Sequence, residues 1–322
     1  MLQTRVTRLL GIEYPILQGA LSGLGTWKFA AEVSKAGALG CFTAAVARTP
    51  EGLRRQLRML KSELKGKPFS LNISLYMCPY QDDMFKVAID EGVPVIETSV
   101  YAVPDDWVDS MKDNNIIWLH KVTTLRHALH AEKQGADAII LIGLEGFGFK
   151  NPRQLPTMAA VPWVARHLKK PLIAGGGVGD PHTFLAVLVL GAEAAYIGSA
   201  FLTTKEAPLP THVKEGLLNM KPDNQELIYR ILSPPSQKDF IEVMELRGKV
   251  PMERWVAMME RVLLKDPDWR EAPLVWEEDI SGEKVYKYVS FAASYPHKIM
   301  SVKEFIHWLV DEGRKILENI IR

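Results

Sequence analysis

Short apolar runs alternate with amphipathic stretches over the first two-thirds of the chain. Residues 14–18, 38–42, 69–73, 93–97, 116–122, 138–142, 171–174 and 194–197 read as strands. Between them, 27–35, 51–64, 82–91, 104–112, 124–134 and 155–168 carry helical spacing. In 51–64, Leu53, Leu57, Leu60 and Leu64 share one face and Arg or Lys occupy the other. Strand and helix alternate with short connections from Tyr14 to Phe201, which predicts a parallel α/β fold. Eight such units, with polar residues at the strand ends, favour a closed (βα)8 barrel, the TIM barrel, over an open sheet.

The pattern changes after Ala207. Residues 209–274 read as helices joined by Pro-rich breaks, 285–289 as an isolated strand, and 301–321 as a closing amphipathic helix. Trp255, Met258, Met259, Val262 and Leu263 form an apolar helical stripe that predicts helix-packing core. The expected division is a barrel over 1–205, a C-terminal helical subdomain over 206–297 leaning on the active-site face, and a helix over 298–322 packing back on the barrel.

Residues 171–202, PLIAGGGVGDPHTFLAVLVLGAEAAYIGSAFL, organise the rest. An apolar run ends in Gly175-Gly176-Gly177-Val178-Gly179, Asp180 and Pro181 open a helix, and Gly191 ends it. The next apolar run ends in Gly198-Ser199. Glycine-terminated strands let backbone N–H groups approach an anion, and two adjacent ones make a phosphate cradle. In a (βα)8 barrel that cradle follows strands seven and eight. The spacing is not the G-x-G-x-x-G of a dinucleotide fold.

Length and composition narrow the classes. The 322 residues exceed the roughly 250 of a plain barrel and leave room for an appendage. A formal charge of +1 with mixed signs carries no nucleic-acid or membrane footprint. Cys41 and Cys78 are the only cysteines, so neither a disulfide framework nor a Cys-rich metal site is expected. No long apolar span or signal-like start is evident, and the cytoplasm is the expected compartment.

Lys121 ends an inward strand, where a cation needs an ion-pair partner or a ligand. Asn72 is either a satisfied core amide or a reader of a heterocycle edge. Gly146-Phe147-Gly148, after strand six, offers a third backbone approach to the same cleft. Among the eight histidines, His120 is expected to face the helix shell and none stands out as a catalytic base.

At these residues the chain resembles the FMN-dependent nitronate monooxygenases, formerly 2-nitropropane dioxygenases, a family that includes FMN-type enoyl-thioester reductases. The resemblance rests on LLGIEYPILQGALSG, the Asn72 strand, QGADAIILIGLEGFG, LIAGGGVGD, IGSAFLTTKEAP and VSFAASYPHKIMSVKEFI, in that order. It implies one FMN in a (βα)8 barrel. Ala20 and Leu21 would touch the flavin through backbone, Asn72 and Lys121 would meet the ring or ribityl chain, and Gly175, Gly176, Gly177, Gly198 and Ser199 would hold the phosphate. It also implies a small-molecule substrate, a nitronate or an acyl thioester, with O2 or NAD(P)H exchanging electrons.

One departure bears on the chemistry. Where the family reads E-A-G-G-H, this chain has Glu145-Gly146-Phe147-Gly148-Phe149, so Phe149 stands at the histidine position. A phenyl ring neither moves a proton nor donates a hydrogen bond. Lys121, Glu145, Tyr295 and His297, with Tyr101, are the candidates to supply the missing group. Nitronate oxidation, acyl-thioester reduction or dehydrogenation, and flavin binding without catalysis all remain open on these residues.

Overall fold

Eight parallel strands surround one axis in the computed structural model, which describes residues 3–99, 102–148, 150–151, 153–274, 277, 280 and 282–321. They are β1 (Ile16–Gln18), β2 (Gly40–Thr43), β3 (Phe69–Ser74), β4 (Val95–Ser99), β5 (Ile117–Val122), β6 (Ala138–Ile142), β7 (Leu172–Gly175) and β8 (Ala194–Ile197). Each pairs in parallel with the next from β2 to β8, β8 pairs β1, and a bridge between Leu17 and Leu39 closes the ring. This is the predicted barrel, its strand ends displaced by no more than two residues.

The connections are helical. In chain order they are α1 (Arg5–Leu10), α2 (Trp27–Lys35), α3 (Pro50–Leu64), α4 (Gln81–Asp90), α5 (Asp105–Asp113), α6 (Leu125–Gln134), α7 (Thr157–Ala165) and α8 (Pro181–Val189). Asp180 caps α8 as its sequence position suggested, accepting from the Thr183 N–H at 2.8 Å. Alternation along each strand separates two cores. Leu71, Ile96, Leu141 and Ala195 pack outward against the helices, and Leu17, Val95, Leu119 and Ile140 pack inward.

Helix α1 was not foreseen. Its six residues are too few for a periodic signal, yet Thr4 and Thr7 form a capping box and Gly11 ends it in the left-handed region. Val6, Leu10 and Ile12 join the inward cluster and stopper one end of the barrel.

Beyond β8 come α9 (Thr211–Leu218), α10 (Gln225–Leu232), α11 (Gln237–Glu245), α12 (Met252–Leu263) and α13 (Val302–Ile321). The apolar stripe of α12 packs as expected, with Trp255, Met258 and Val262 against Met77 and Trp269. The predicted strand at 285–289 does not form. Gly282–Tyr288 is a 3-10 helix, because a closed barrel presents no edge to pair with. Val285 and Val289 bury instead against Leu24, Leu202 and Val213. Contacts between this region and the barrel include the loops after β1, β3, β6, β7 and β8, all at the C-terminal ends of the strands. The α13 helix returns to the outer ring, where Phe305 meets Phe201 at 5.1 Å.

Candidate active site

The inward core turns polar near the C-terminal ends of the strands. Glu97 on β4 is 1% exposed, and its carboxylate is the centre of a network. Tyr196 donates to Glu97 Oε1 at 2.5 Å and Asn72 Nδ2 at 3.1 Å, while Lys121 Nζ lies 3.6 Å from the same oxygen. The Cys41 thiol stands 3.7 Å from Oε2. A buried carboxylate is tolerated only when donors and a cation surround it, and four strands supply them here. Tyr196 in turn accepts the Ala20 N–H at 2.6 Å, tying the loop after β1 to the network. Burial, then the Glu97 charge, pushes the Tyr196 phenol and the Cys41 thiol well up, so both remain protonated.

Above this layer opens a cavity of about 1270 Å³, its mouth included. Lys121, Tyr196, Ser74 and Ser99 form its floor. The lysine ammonium lies 5.5 Å from the Tyr196 ring, and its side chain keeps 23% of its surface exposed into this space.

One wall is backbone: Gly176 and Gly177 after β7, and Gly198 and Ser199 after β8. Among the described residues, none accepts a hydrogen bond from the N–H groups of these four. Gly176 and Gly177 take φ of 105° and 72°, open to glycine at little cost. At Gly198 an added Cβ would meet only Leu21 Cδ2 at 3.7 Å, so protein packing does not demand a glycine there. The missing side chain leaves cavity space beside unpaired donors, an arrangement suited to phosphate oxygens.

Glu260 of α12 with Ile280, Val285 and Tyr288 supplies the roof. Phe147, from the loop after β6, packs edge-on against Tyr288 at 5.6 Å. Glu260 is buried, and its carboxyl takes no hydrogen bond from a described residue. Burial raises its carboxyl to about 7, against a smaller opposing pull from Arg261. The loop after β6 is clamped from behind by Lys150, which donates to the carbonyls of Leu144 and, at 2.5 Å, Gly146. Burial brings that ammonium down to about 7.

Most of the sequence-predicted residues meet at this cavity. Ala20, Leu21, Lys121, Gly146, Phe147 and Gly148 line it alongside the glycine wall. Asn72 and Gly175 do not. Asn72 is an interior amide in the polar layer, its Oδ1 accepting from Ser74 at 3.1 Å, and Gly175 is the last ladder residue of β7. The Ala20 N–H is already given to Tyr196, which leaves only its carbonyl for a ligand.

Of the candidate acid–base residues, Lys121 lines the cavity, whereas Glu145, Tyr295 and His297 are not among its described lining residues. Glu145 caps α7, accepting from the Thr157 N–H at 2.8 Å. Tyr295 packs half-buried against the cluster of Leu227, Ile231 and Phe291, and His297 lies exposed against Trp308 at 5.2 Å. Tyr101 and Phe149 lie outside the described residues. His120 faces the helix shell as predicted, hydrogen-bonded to Thr98 at 2.7 Å and held neutral by burial, its pKa about 3. Among the described residues no cluster suits a metal ion, and no helix is long and apolar enough to cross a membrane.

Glu97, Tyr196, Lys150 and Glu260 were not singled out from the sequence. A lone acid in an apolar strand register with Lys121 was the available signal for Glu97; Glu260 reads like any charge on an amphipathic helix.

Known proteins share this architecture. The profile of the nitronate monooxygenase family matches residues 3–245. A probable nitronate monooxygenase of Staphylococcus haemolyticus is 27% identical, with 77% of this chain and 82% of that protein covered. The solved structure of FabK from Thermotoga maritima is 29% identical and superposes with a TM-score of 0.75, covering 99% of each chain. A nitroalkane oxidase from Streptomyces ansochromogenes, 19% identical, shares the fold with a TM-score of 0.71 over 98% of this chain and 99% of its own. With three-quarters of its length matched and its barrel intact, the chain belongs to the nitronate monooxygenase family of oxidoreductases.

Proposed function

We propose that this protein is an FMN-dependent oxidoreductase. The observation that carries this reading is the pair of glycine strand ends that line one cavity and whose four N–H groups have no acceptor among the described residues. One phosphate fits there, and the chain has no second, adenosine-type fingerprint. Gly176, Gly177, Gly198 and Ser199 would hold the FMN phosphate, while Leu21 and Lys121 would border the ring. Bound FMN supplies hydride or electron transfer. The protein contributes orientation and charge. Lys121 offers a cation at the floor, held by Glu97, and Tyr196 fixes the loop that carries Ala20. Met77, Ile280 and Val285 exclude water from above. The division into barrel 1–205, cap 206–297 and returning helix 298–322 belongs to the same reading, the cap covering the substrate.

Nitronate oxidation is the activity that family membership favours. Reduction of an unsaturated acyl thioester is a second reading, favoured by the apolar Met77, Leu202, Ile280 and Val285 around the cavity, which suit an acyl chain; that no histidine is among the described lining residues favours the first reading instead. A nitronate arrives already deprotonated, whereas a general acid–base typically contributes ~10²–10⁴-fold where a proton must move. The test compares wild type with Phe149→His for oxygen uptake on an alkyl nitronate and for NAD(P)H oxidation with crotonyl N-acetylcysteamine thioester. Brisk nitronate turnover unchanged by the substitution supports nitronate oxidation. Weak nitronate turnover that the histidine raises, with thioester turnover in the wild type, supports the second reading. Bound FMN inert in both assays contradicts both.

A further inference from the structure

A second cleft opens beside the cavity and runs into it, the two sharing Ser99, Lys121, Ile142, Phe147 and Gly148. Its outer wall is α6. Arg126, His130 and Lys133 follow at i, i+4 and i+7 and so share one helix face, with His127 beside them. Arg247 closes the opposite side. No Asp or Glu is among the described residues that line this cleft, although the chain as a whole has 39 basic and 38 acidic residues.

These cations are also uncompensated. Elsewhere in the ring of helices Arg54 and Arg58 of α3 pair with Glu91, and Lys35 of α2 pairs with Glu32 and Glu63. Among the described residues, Arg126, Lys133 and Arg247 have no ion pair. The acid on α6, Glu132, turns away to accept the backbone N–H groups of Lys169 and Lys170 at 2.7 Å. The resulting field is felt inside the cleft: His127 is pushed down by burial and then by the charges of Arg126 and His130. Apolar surface accompanies the charge, since Leu125 and Leu129 line the same groove and Leu129 stays 40% exposed.

We infer that this cleft binds the phosphate-bearing arm of an elongated ligand whose reactive end enters the flavin cavity. A confined groove of unpaired cations favours a polyanion, and guanidinium with ammonium suits phosphate oxygens. Exposed leucines suit the aliphatic or heterocyclic part of such an arm. The shared lining makes the two spaces one path. Two ligands carry this chemistry, a coenzyme A thioester and a reduced nicotinamide dinucleotide. The placement of a reactive end in the cavity rests on the flavin reading above; the anion site does not.

The test is calorimetric titration of the purified full chain with coenzyme A and, separately, with NADPH. Wild type is compared with the double variant Arg126→Gln/Lys133→Gln, which exchanges exposed helical cations for another good helix former. The expected result is a dissociation constant at least about tenfold higher in the variant for one of the two ligands, with a shallower dependence on salt. The ligand so affected identifies the arm the cleft takes. Flavin content stays unchanged, and so does turnover of crotonyl N-acetylcysteamine thioester, which carries no phosphate, when NADPH is saturating. Equal affinities for both ligands in wild type and variant, or no binding of either at millimolar concentration, overturns the inference. Lost turnover of the uncharged thioester in wild type, with the titration difference intact, would instead remove the thioester reading and leave the anion site standing.

Discussion

The Tyr196 hydroxyl lies 2.5 Å from Glu97 Oε1 and 2.6 Å from the Ala20 nitrogen, so one side chain joins the buried carboxylate of β4 to the loop after β1. Charge-assisted O–H···O⁻ bonds of this length are among the stronger ones in proteins. Tyr196→Phe removes the donor to the carboxylate and leaves the Ala20 N–H without its acceptor. The expected loss is about 3 kcal/mol of stability. Urea unfolding measures it, and a loss below about 0.5 kcal/mol would show that the network is not sustained in solution.

Lys121 belongs both to that network and to the cavity floor, and its two roles separate by a double-mutant cycle. Lys121→Met keeps the aliphatic stem but strips the cation from a buried carboxylate, with an expected cost of about 1–3 kcal/mol, moderated because the lysine is partly exposed. Adding Glu97→Gln should recover most of that stability while flavin retention stays impaired. Additive effects of the two substitutions on stability would deny the coupling.

Much of this site was legible in the sequence, for a local reason. A strand that ends in glycine announces itself without knowledge of its neighbours, as at Gly175–Gly179 and Gly198-Ser199. Lys121 stood out because a cation at the end of an apolar run has few explanations. Glu97, at the end of a run read as 93–97, looked like a strand boundary; only the register that sets it beside Asn72 and Leu119 shows it facing inward. Tyr295 and His297 stand in the tail motif, but Tyr295 packs against Leu227 and Ile231 and His297 against Trp308, contacts between distant segments that no local pattern encodes. Lys150 was equally hidden, since its partners are backbone carbonyls.

Gly198→Ala probes the phosphate cradle alone. Its Cβ meets nothing closer than 3.7 Å, so the flavin-free protein should unfold at the same urea concentration as wild type. The methyl group would occupy space beside the unpaired N–H groups, and FMN affinity should fall at least about tenfold, which corresponds to 1.4 kcal/mol. Unchanged affinity, read by fluorescence titration with FMN, would move the phosphate away from this strand end.

Glu260 gives a pH signature. Its folded-state value of about 7 lies above the usual 4.5, so the neutral acid is the form the fold favours. Its contribution to stability is therefore complete below pH 4.5 and lost as pH rises through about 7. Glu260→Gln, which stays neutral, should be more stable than wild type at pH 8 by about 1–3 kcal/mol, with the advantage vanishing near pH 4.5. A difference between the two proteins that does not vary from pH 4.5 to 8 would mean that the carboxylate is solvated.

The most direct measurement is the identity of the flavin that the purified protein carries. A single phosphate cradle and a cavity floored by Lys121 and Tyr196 predict a yellow protein. Heat denaturation should release FMN at close to one equivalent per chain, and the released flavin should contain no FAD. A protein that is colourless and remains so after incubation with FMN, or one that releases FAD, would contradict the assignment of the glycine wall to an FMN phosphate.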